Sequence, residues 1–285
     1  MKKNVLQVLE AGLGELTEAQ KKVADYILKN PTDAAFLTLD QIAGIVQTST
    51  ATVMRFAFQL GYSGYSEFQK DLQELLRNRV APSIRLETNV KFGKADNLLF
   101  SCAEMQINNV KATVEYLSEE LVTQVVDLLF AARNIYVVGL RLSHSVAHYL
   151  SQGLGRIMGN SELLVPDSDR LANRLLQLSA DDVVILVSFP RYARRVVEIA
   201  QVVKKRAAKV IAITDGYHSP LAAHANIVLP CAFSSLGFHD SMLGAMFLAD
   251  FLITAVALKD PDQTKKRLES MESITAELGY NVTGK

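Results

Sequence analysis

Two short stretches carry the residues best suited to holding a negatively charged group. GLRLSHSVAHYL, residues 139 to 150, follows the apolar run IYVV, and SFPRYARR, residues 188 to 195, follows VVILV. In the first, a glycine ends a strand and serines open a helix, so amides and hydroxyls converge where the helix dipole favours an anion. Gly139, Arg141 and Ser143 are its candidate ligand-binding residues. The second stretch adds Ser188, Arg191 and Tyr192 at a strand's end. Guanidinium groups there can grip a phosphate or carboxylate in bidentate fashion, whereas Pro190 has no amide proton to give. Arg194 and Arg195 fall on the solvated face of the following helix.

Other chemistries are poorly supplied. GxGxxG is absent, so no nicotinamide or other cofactor is expected. His144 and His148 have the i, i+4 spacing of a metal pair but no evident third ligand, so no metal is expected. His239 and Asp240 are neighbours that do not face each other, and Asp240 suits a helix cap better than proton transfer. No catalytic residue is assigned. Cys102 and Cys231 are far apart, without CxxC spacing, which excludes a disulfide framework and fits a reducing cytoplasm.

The elements that must position these residues follow from length and pattern. A chain of 285 residues with 49% hydrophobic content is comfortable for two domains. Thirty basic and thirty acidic side chains cancel, so any binding of nucleic acid must come from a local patch. The apolar runs IYVV, ELLV, VVILV, VIAI and NIVL between residues 135 and 229 alternate with helical patterns. Continuous apolar strands of this kind suit a parallel sheet covered on both faces, so the C-terminal part is expected to be a doubly wound α/β sandwich of about five strands. Residues 241 to 258 are apolar around Asp250 and read as a core helix, so no membrane partner is expected.

The first eighty residues instead show helix starts. TEAQ at Thr17, TLDQ at Thr38 and SEFQ at Ser66 each match a capping box. Asn30-Pro31 ends the first helix, and Gly61 is placed for a left-handed C-terminal cap after a helix from Thr50 to Leu60. LDQIAGIVQTSTATVMRFAF, residues 39 to 58, has the anatomy of a helix-turn-helix, with Ala43 and Val53 filling the crossing. Ser49, Thr50, Thr52 and Arg55 stand near the exposed N-terminal end of its second helix, the position from which such helices meet base edges and phosphates in the major groove. Nine Lys/Arg against nine Asp/Glu in residues 1 to 80 mean that any DNA affinity depends on clustering.

LTEAQKKVADYILKNP, LTLDQIAGIVQTSTATVMRF and QLGYSGYSEFQKDL resemble, in order and spacing, the N-terminal domain of the RpiR family of bacterial transcriptional regulators. The resemblance implies a C-terminal sugar isomerase (SIS) domain that senses a phosphosugar or related metabolite, and it extends over nearly the whole chain. In the SIS pattern the first loop reads roughly GxGxS and the second SxSGxT. Gly139, Ser143 and Ser188 match, while Arg141 replaces a glycine, Pro190 a serine, Arg191 a glycine and Ala193 the threonine. Ser219-Pro220-Leu221 resembles the segment that starts a helix after the fourth strand.

The expected organisation is a helix-turn-helix DNA-binding domain at 1–78, a linker and connecting helices at 79–119, an SIS-like effector domain at 120–270 and a tail at 271–285. The expected function is a transcriptional regulator, not an enzyme, that binds a double-stranded DNA operator as a homodimer or homotetramer and responds to a small anionic sugar or sugar phosphate. The alternatives are a sugar-phosphate isomerase with an accessory helical domain and a metabolite-sensing adaptor that does not bind DNA.

Overall fold

The computed structural model describes Val5 and residues 8–9, 13–35, 37–79, 86, 97–165, 169–206 and 208–279, with backbone alone at 32–33 and 73–79. The chain divides into two compact units, Met1–Lys91 and Phe92–Lys285. Of the linker and connecting helices expected at 79–119, residues 80–85 and 87–96 lie outside the described residues.

The first unit is built from α1 (Glu18–Lys29), α2 (Pro31–Ala34), α3 (Leu39–Ile45), α4 (Thr50–Gln59) and α5 (Tyr65–Arg79), after a 3₁₀ turn at Leu13–Glu15. The capping boxes at Thr17 and Thr38 are both formed. The one expected at Ser66 is not, because the helix has already begun at Tyr65. Glu67 instead reaches back to the Ser63 amide at 2.7 Å and its hydroxyl at 2.8 Å, and Gln69 donates to Leu37 O at 2.7 Å. Pro31 ends α1 as expected yet opens α2, where its fixed φ suits the first helical position.

The core of this unit centres on Val23, Ile27, Ile42, Val53, Phe56 and Phe68, all fully buried. The Phe56 and Phe68 rings meet edge to face at 5.4 Å, an arrangement that adds about 1 kcal/mol beyond the buried area. Burial pushes the Tyr65 hydroxyl up to about 12, so it stays protonated and donates to Leu37 O at 3.0 Å.

In the second unit, α6 (Leu98–Glu115) and α7 (Glu119–Ala131) precede a five-stranded parallel sheet. The elements that follow are β1 (Ile135–Gly139), α8 (Ser143–Met158), β2 (Ser161–Leu163), α9 (Asp169–Leu176), β3 (Val183–Val187), α10 (Arg194–Lys204), β4 (Lys209–Thr214), β5 (Ile227–Pro230), α11 (Leu243–Lys259) and α12 (Pro261–Glu277). The segment 271–277, expected as tail, is the last part of α12. After β4, Ser219-Pro220-Leu221 leads only into a 3₁₀ turn at Ala222–His224.

Strand order is β2-β1-β3-β4-β5, and β1, β3 and β4 are buried on both faces apart from Lys209. Alternate residues pack on opposite layers. Ile135, Val137, Ile185 and Val187 meet α7, α8 and α11, while Tyr136, Val138, Val184 and Leu186 meet α9 and α10. The order reverses between β1 and β3, and the crevice beyond the carboxyl ends of such a strand pair is where open α/β sheets place ligands. Gly139 ends β1 there, and Ser188 follows β3.

Candidate anion site and nucleic-acid interface

The loops after β1 and β3 enclose a pocket of about 50 Å³, walled by Arg141, Ser143, Ser188, Arg191 and Asp240 among others. Three helices point their N-termini into it. The N-cap positions of α8, α10 and α11 are Leu142, Ala193 and Met242, each a pocket residue, and none offers a side-chain acceptor to the first turn. By contrast, α1, α3, α4, α6, α7 and α12 are each capped by a Thr, Ser, Asn or Asp side chain. Some first-turn amides are satisfied locally, Leu243 N by Ser241 Oγ at 3.2 Å, His144 N by Arg141 O at 3.1 Å, Ser145 N by Leu142 O at 3.2 Å and Val196 N by Ala193 O at 2.9 Å. Three positive dipole ends around one small space make it favourable to an anion.

The hydroxyls fit the same chemistry. Ser143 and Ser188 are more than nine-tenths buried, line the pocket, and have no hydrogen-bond partner for their hydroxyls among the described residues. Gly139 must be glycine, since a Cβ there would stand 2.5 Å from Ser143 O and 2.9 Å from Ala147 Cβ. Its small size brings the first turn of α8 against the end of β1.

Arg141 and Arg191 both have left-handed backbone, with φ of 56° and 65°. This conformation costs a non-glycine residue about 1–2 kcal/mol. They occupy the positions that the SIS pattern gives to glycine, so the loop geometry is kept while two guanidinium groups are added. Arg141 Nη1 donates to Arg191 O at 3.3 Å, and Arg191 Nη2 lies 3.5 Å from Asp240 Oδ2.

Asp240 is the wall residue that the sequence did not disclose. It does not cap α11 as expected, but lies buried beneath Arg191. Its exposed neighbour His239 packs edge to face on Phe238 at 5.1 Å. The loop 231–242 that carries Asp240 is hung on α6. Asn109 pairs with Ser234 in both directions, at 2.7 and 3.0 Å, Thr113 Oγ1 accepts from Ala232 N at 3.1 Å, and Ser241 Oγ donates to Gln106 Oε1 at 2.5 Å.

Tyr192 does not line the pocket. Its hydroxyl donates to Asp215 at 2.8 Å, and the same carboxylate accepts from Thr214 at 2.9 Å and lies 2.8 Å from His218 Nε2. Tyr192 thus ties the loop after β3 to the end of β4. Arg194 and Arg195 pair with Glu198 on the surface of α10. His144 and His148 stack at 6.1 Å, and among the described residues no group of three or more His, Cys, Asp or Glu could hold a metal.

In the first unit, α3 and α4 cross at Ala43 and Val53, both buried. The turn between them passes through Gln47 at φ 52°, and Thr48 N returns to Ala43 O at 2.9 Å. Ser49 caps α4 through Thr52 N at 3.2 Å, and its hydroxyl also meets Thr52 Oγ1 at 2.9 Å, so both side chains are engaged in the helix start. Thr50 is half-buried. Arg55 is exposed and folded along the helix, with Nε donating to Ala51 O at 3.2 Å. Ala51, Phe58 and Gln59 share its exposed face, a grouping that polar residue types alone do not reveal. Gly61, at φ 86°, ends α4 with Tyr62 N bonded to Ala57 O.

Residues 3–79 match the helix-turn-helix domain of the rpiR family, and residues 128–255 match the SIS domain. The chain belongs to the RpiR family. It is a transcriptional regulator with a helix-turn-helix domain followed by an SIS domain. The HTH-type transcriptional regulator HexR of Pseudomonas aeruginosa is 29% identical over 230 residues, 80% of this chain and 78% of that one. The Vibrio vulnificus NanR protein, solved in complex with ManNAc-6P, is 25% identical with a TM-score of 0.60, covering 96% of this chain and 99% of that one. The sugar isomerase domain of an RpiR transcription factor from Sphaerobacter thermophilus is 26% identical with a TM-score of 0.60, over 62% of this chain and 98% of that one. Among the described residues of this RpiR regulator, no helix is long and apolar enough to cross a membrane.

Proposed function

We propose that this regulator binds a small anionic sugar metabolite, phosphorylated or acidic, in the pocket between β1 and β3, and that binding changes its affinity for a DNA operator. The observation that carries the reading is the convergence of three helix N-termini without N-cap side chains on two buried serines, Ser143 and Ser188, whose hydroxyls have no hydrogen-bond partner among the described residues. Ser143, Ser188, Arg141 and Arg191 would meet the anion, Gly139 would allow the close approach of α8, and Tyr192 would hold the loop. The binding of ManNAc-6P by the NanR relative supports the same ligand class. Ser49, Thr50, Thr52 and Arg55 would face the operator, with a homodimer or homotetramer placing two helix-turn-helix domains on half-sites about 34 Å apart.

The role is regulatory rather than catalytic. The carboxylate in the pocket, Asp240, lies against Arg191 as a charge partner, and the similar regulators point the same way. The test is a duplex selected from a random library by the full chain, followed by titration with sugar phosphates. A sugar phosphate that shifts duplex affinity several-fold supports the reading. Tight sugar phosphate binding with unchanged duplex affinity contradicts it, because a ligand moves an equilibrium only by its unequal affinity for the two states.

A further inference from the structure

The pocket encloses about 50 Å³, room for a few waters or one phosphate-sized ion, whereas small-molecule sites run to roughly 300–1,000 Å³. The chain's own side chains narrow it. Arg191 lines the pocket and reaches towards Asp240, and Arg141 is bonded to the backbone of Arg191. Asp240 is 5% exposed and stands where the dipole ends of α8, α10 and α11 favour negative charge. A carboxylate in this position does part of what a bound anion would do.

We propose that the site is self-occupied: Asp240 holds Arg191 until an anionic ligand takes the guanidinium over, and the loop that carries Asp240 passes the change to α6. The inference rests on the anion-site reading above. The ion pair is poised for exchange, since 3.5 Å is longer than a hydrogen-bonded guanidinium–carboxylate contact, and Arg191 is a third exposed while its partner is buried. An incoming phosphate offers Arg191 more oxygens at shorter range and leaves Asp240 beside a second anion. The loop 231–242 must then readjust.

Its described hydrogen-bonded attachments to α6 are the pairs Asn109–Ser234, Thr113–Ala232 and Gln106–Ser241, the last immediately beside Asp240. Gly244 keeps this junction tight, since a Cβ there would collide with Ala232 O and lie 2.6 Å from Thr113 Oγ1. In chain order α6 is the first described helix after the segment that leads from the DNA-binding unit. Asp240 therefore sets the threshold for binding and reports it.

Calorimetric titration of the full chain with inorganic phosphate tests this. Asp240→Asn is expected to tighten phosphate binding about ten-fold or more, and Asp240→Ser, a second neutral replacement, to do likewise. Adding Arg191→Gly to Asp240→Asn is expected to erase the gain. Hydrogen exchange in residues 98–115 should change on saturation of the wild-type chain with phosphate. Equal affinity in folded Asp240→Asn and wild type overturns the proposal. So does a gain that survives the loss of Arg191, which would make Asp240 a general repulsive charge, and so does exchange in 98–115 that phosphate leaves unmoved. Phosphate binding that needs Arg191 but ignores Asp240 overturns self-occupancy and leaves the anion site standing. Absence of phosphate binding in every variant overturns both.

Discussion

Arg141 and Arg191 lie fifty residues apart in sequence, and the guanidinium of the first donates to the carbonyl of the second at 3.3 Å while both hold left-handed backbone. Two strained residues joined at one pocket indicate that the surrounding packing enforces a loop geometry made for glycine, and that arginine is tolerated there for what its side chain does. Strain and function can be separated by experiment.

Arg141→Gly and Arg191→Gly should each leave the unfolding free energy within about 1 kcal/mol of the parent, because relief of the left-handed backbone offsets the lost contact and the added freedom of the unfolded chain. Each should weaken phosphate or sugar phosphate binding at least ten-fold. Chemical denaturation alongside calorimetry checks both numbers. A large loss of stability would show that the arginines are held for packing.

Asp182 is the main electrostatic anchor at the opposite end of the sheet. It is fully buried and accepts from Arg133 at 2.6 and 3.0 Å, from Asn134 at 3.0 Å and from Ser179 N at 2.9 Å. Burial works to raise its pKa, but the hydrogen bonds from Arg133, Ser179 and Asn134, with the Arg133 charge, outweigh it and hold the carboxyl below the usual carboxylate range. A depressed folded pKa gives stability that is present above the unfolded value of about 3.9 and is lost as pH falls through the folded one. Asp182→Asn should lower stability at pH 7, because the buried carboxylate that Arg133, Asn134 and Ser179 hydrogen-bond is replaced by an amide that can accept from fewer of them. Its stability should also fall less steeply than the parent's between about pH 4 and pH 2, as measured by urea unfolding across that range.

Arg55→Ala should weaken operator binding by about 1–3 kcal/mol if the guanidinium reads a base edge, and should leave phosphate binding in the second unit unchanged. Fluorescence anisotropy with a selected duplex reads the first effect. Equal affinity in parent and variant would remove Arg55 from the interface.

Much of this architecture is legible in the sequence because it is local. Strand runs, the capping boxes at Thr17 and Thr38, and the Gly61 cap are each specified within a few residues. Ser66 misleads for the same reason, since the pattern SEFQ is locally correct but Glu67 and Gln69 bond outside it, to Ser63 and Leu37. In the pocket, the order of glycine, serine and arginine along two loops places Ser143, Ser188, Arg141 and Arg191 together. Asp240 escapes because its partner is distant in sequence and because an Asp before an apolar run is an ordinary helix cap. Tyr192 is named by its place after β3, but nothing in SFPRYARR tells that its hydroxyl is claimed by Asp215. Left-handed φ at two arginines has no sequence signature except the glycines they replace.

Binding of an anionic sugar in the β1–β3 pocket through Arg191, as proposed, is open to direct test. The most direct measurement is thermal unfolding of wild type and Arg191→Ala across a panel of phosphorylated, acidic and neutral sugars. A ligand at 100 times its dissociation constant stabilises the folded state by about 2.7 kcal/mol, a shift of several degrees. At least one anionic sugar should raise the wild-type midpoint by that much, with its neutral counterpart showing no shift and the Arg191→Ala protein showing about half the wild-type shift or less. No response to any anionic sugar, or an equal response in Arg191→Ala, would contradict the account.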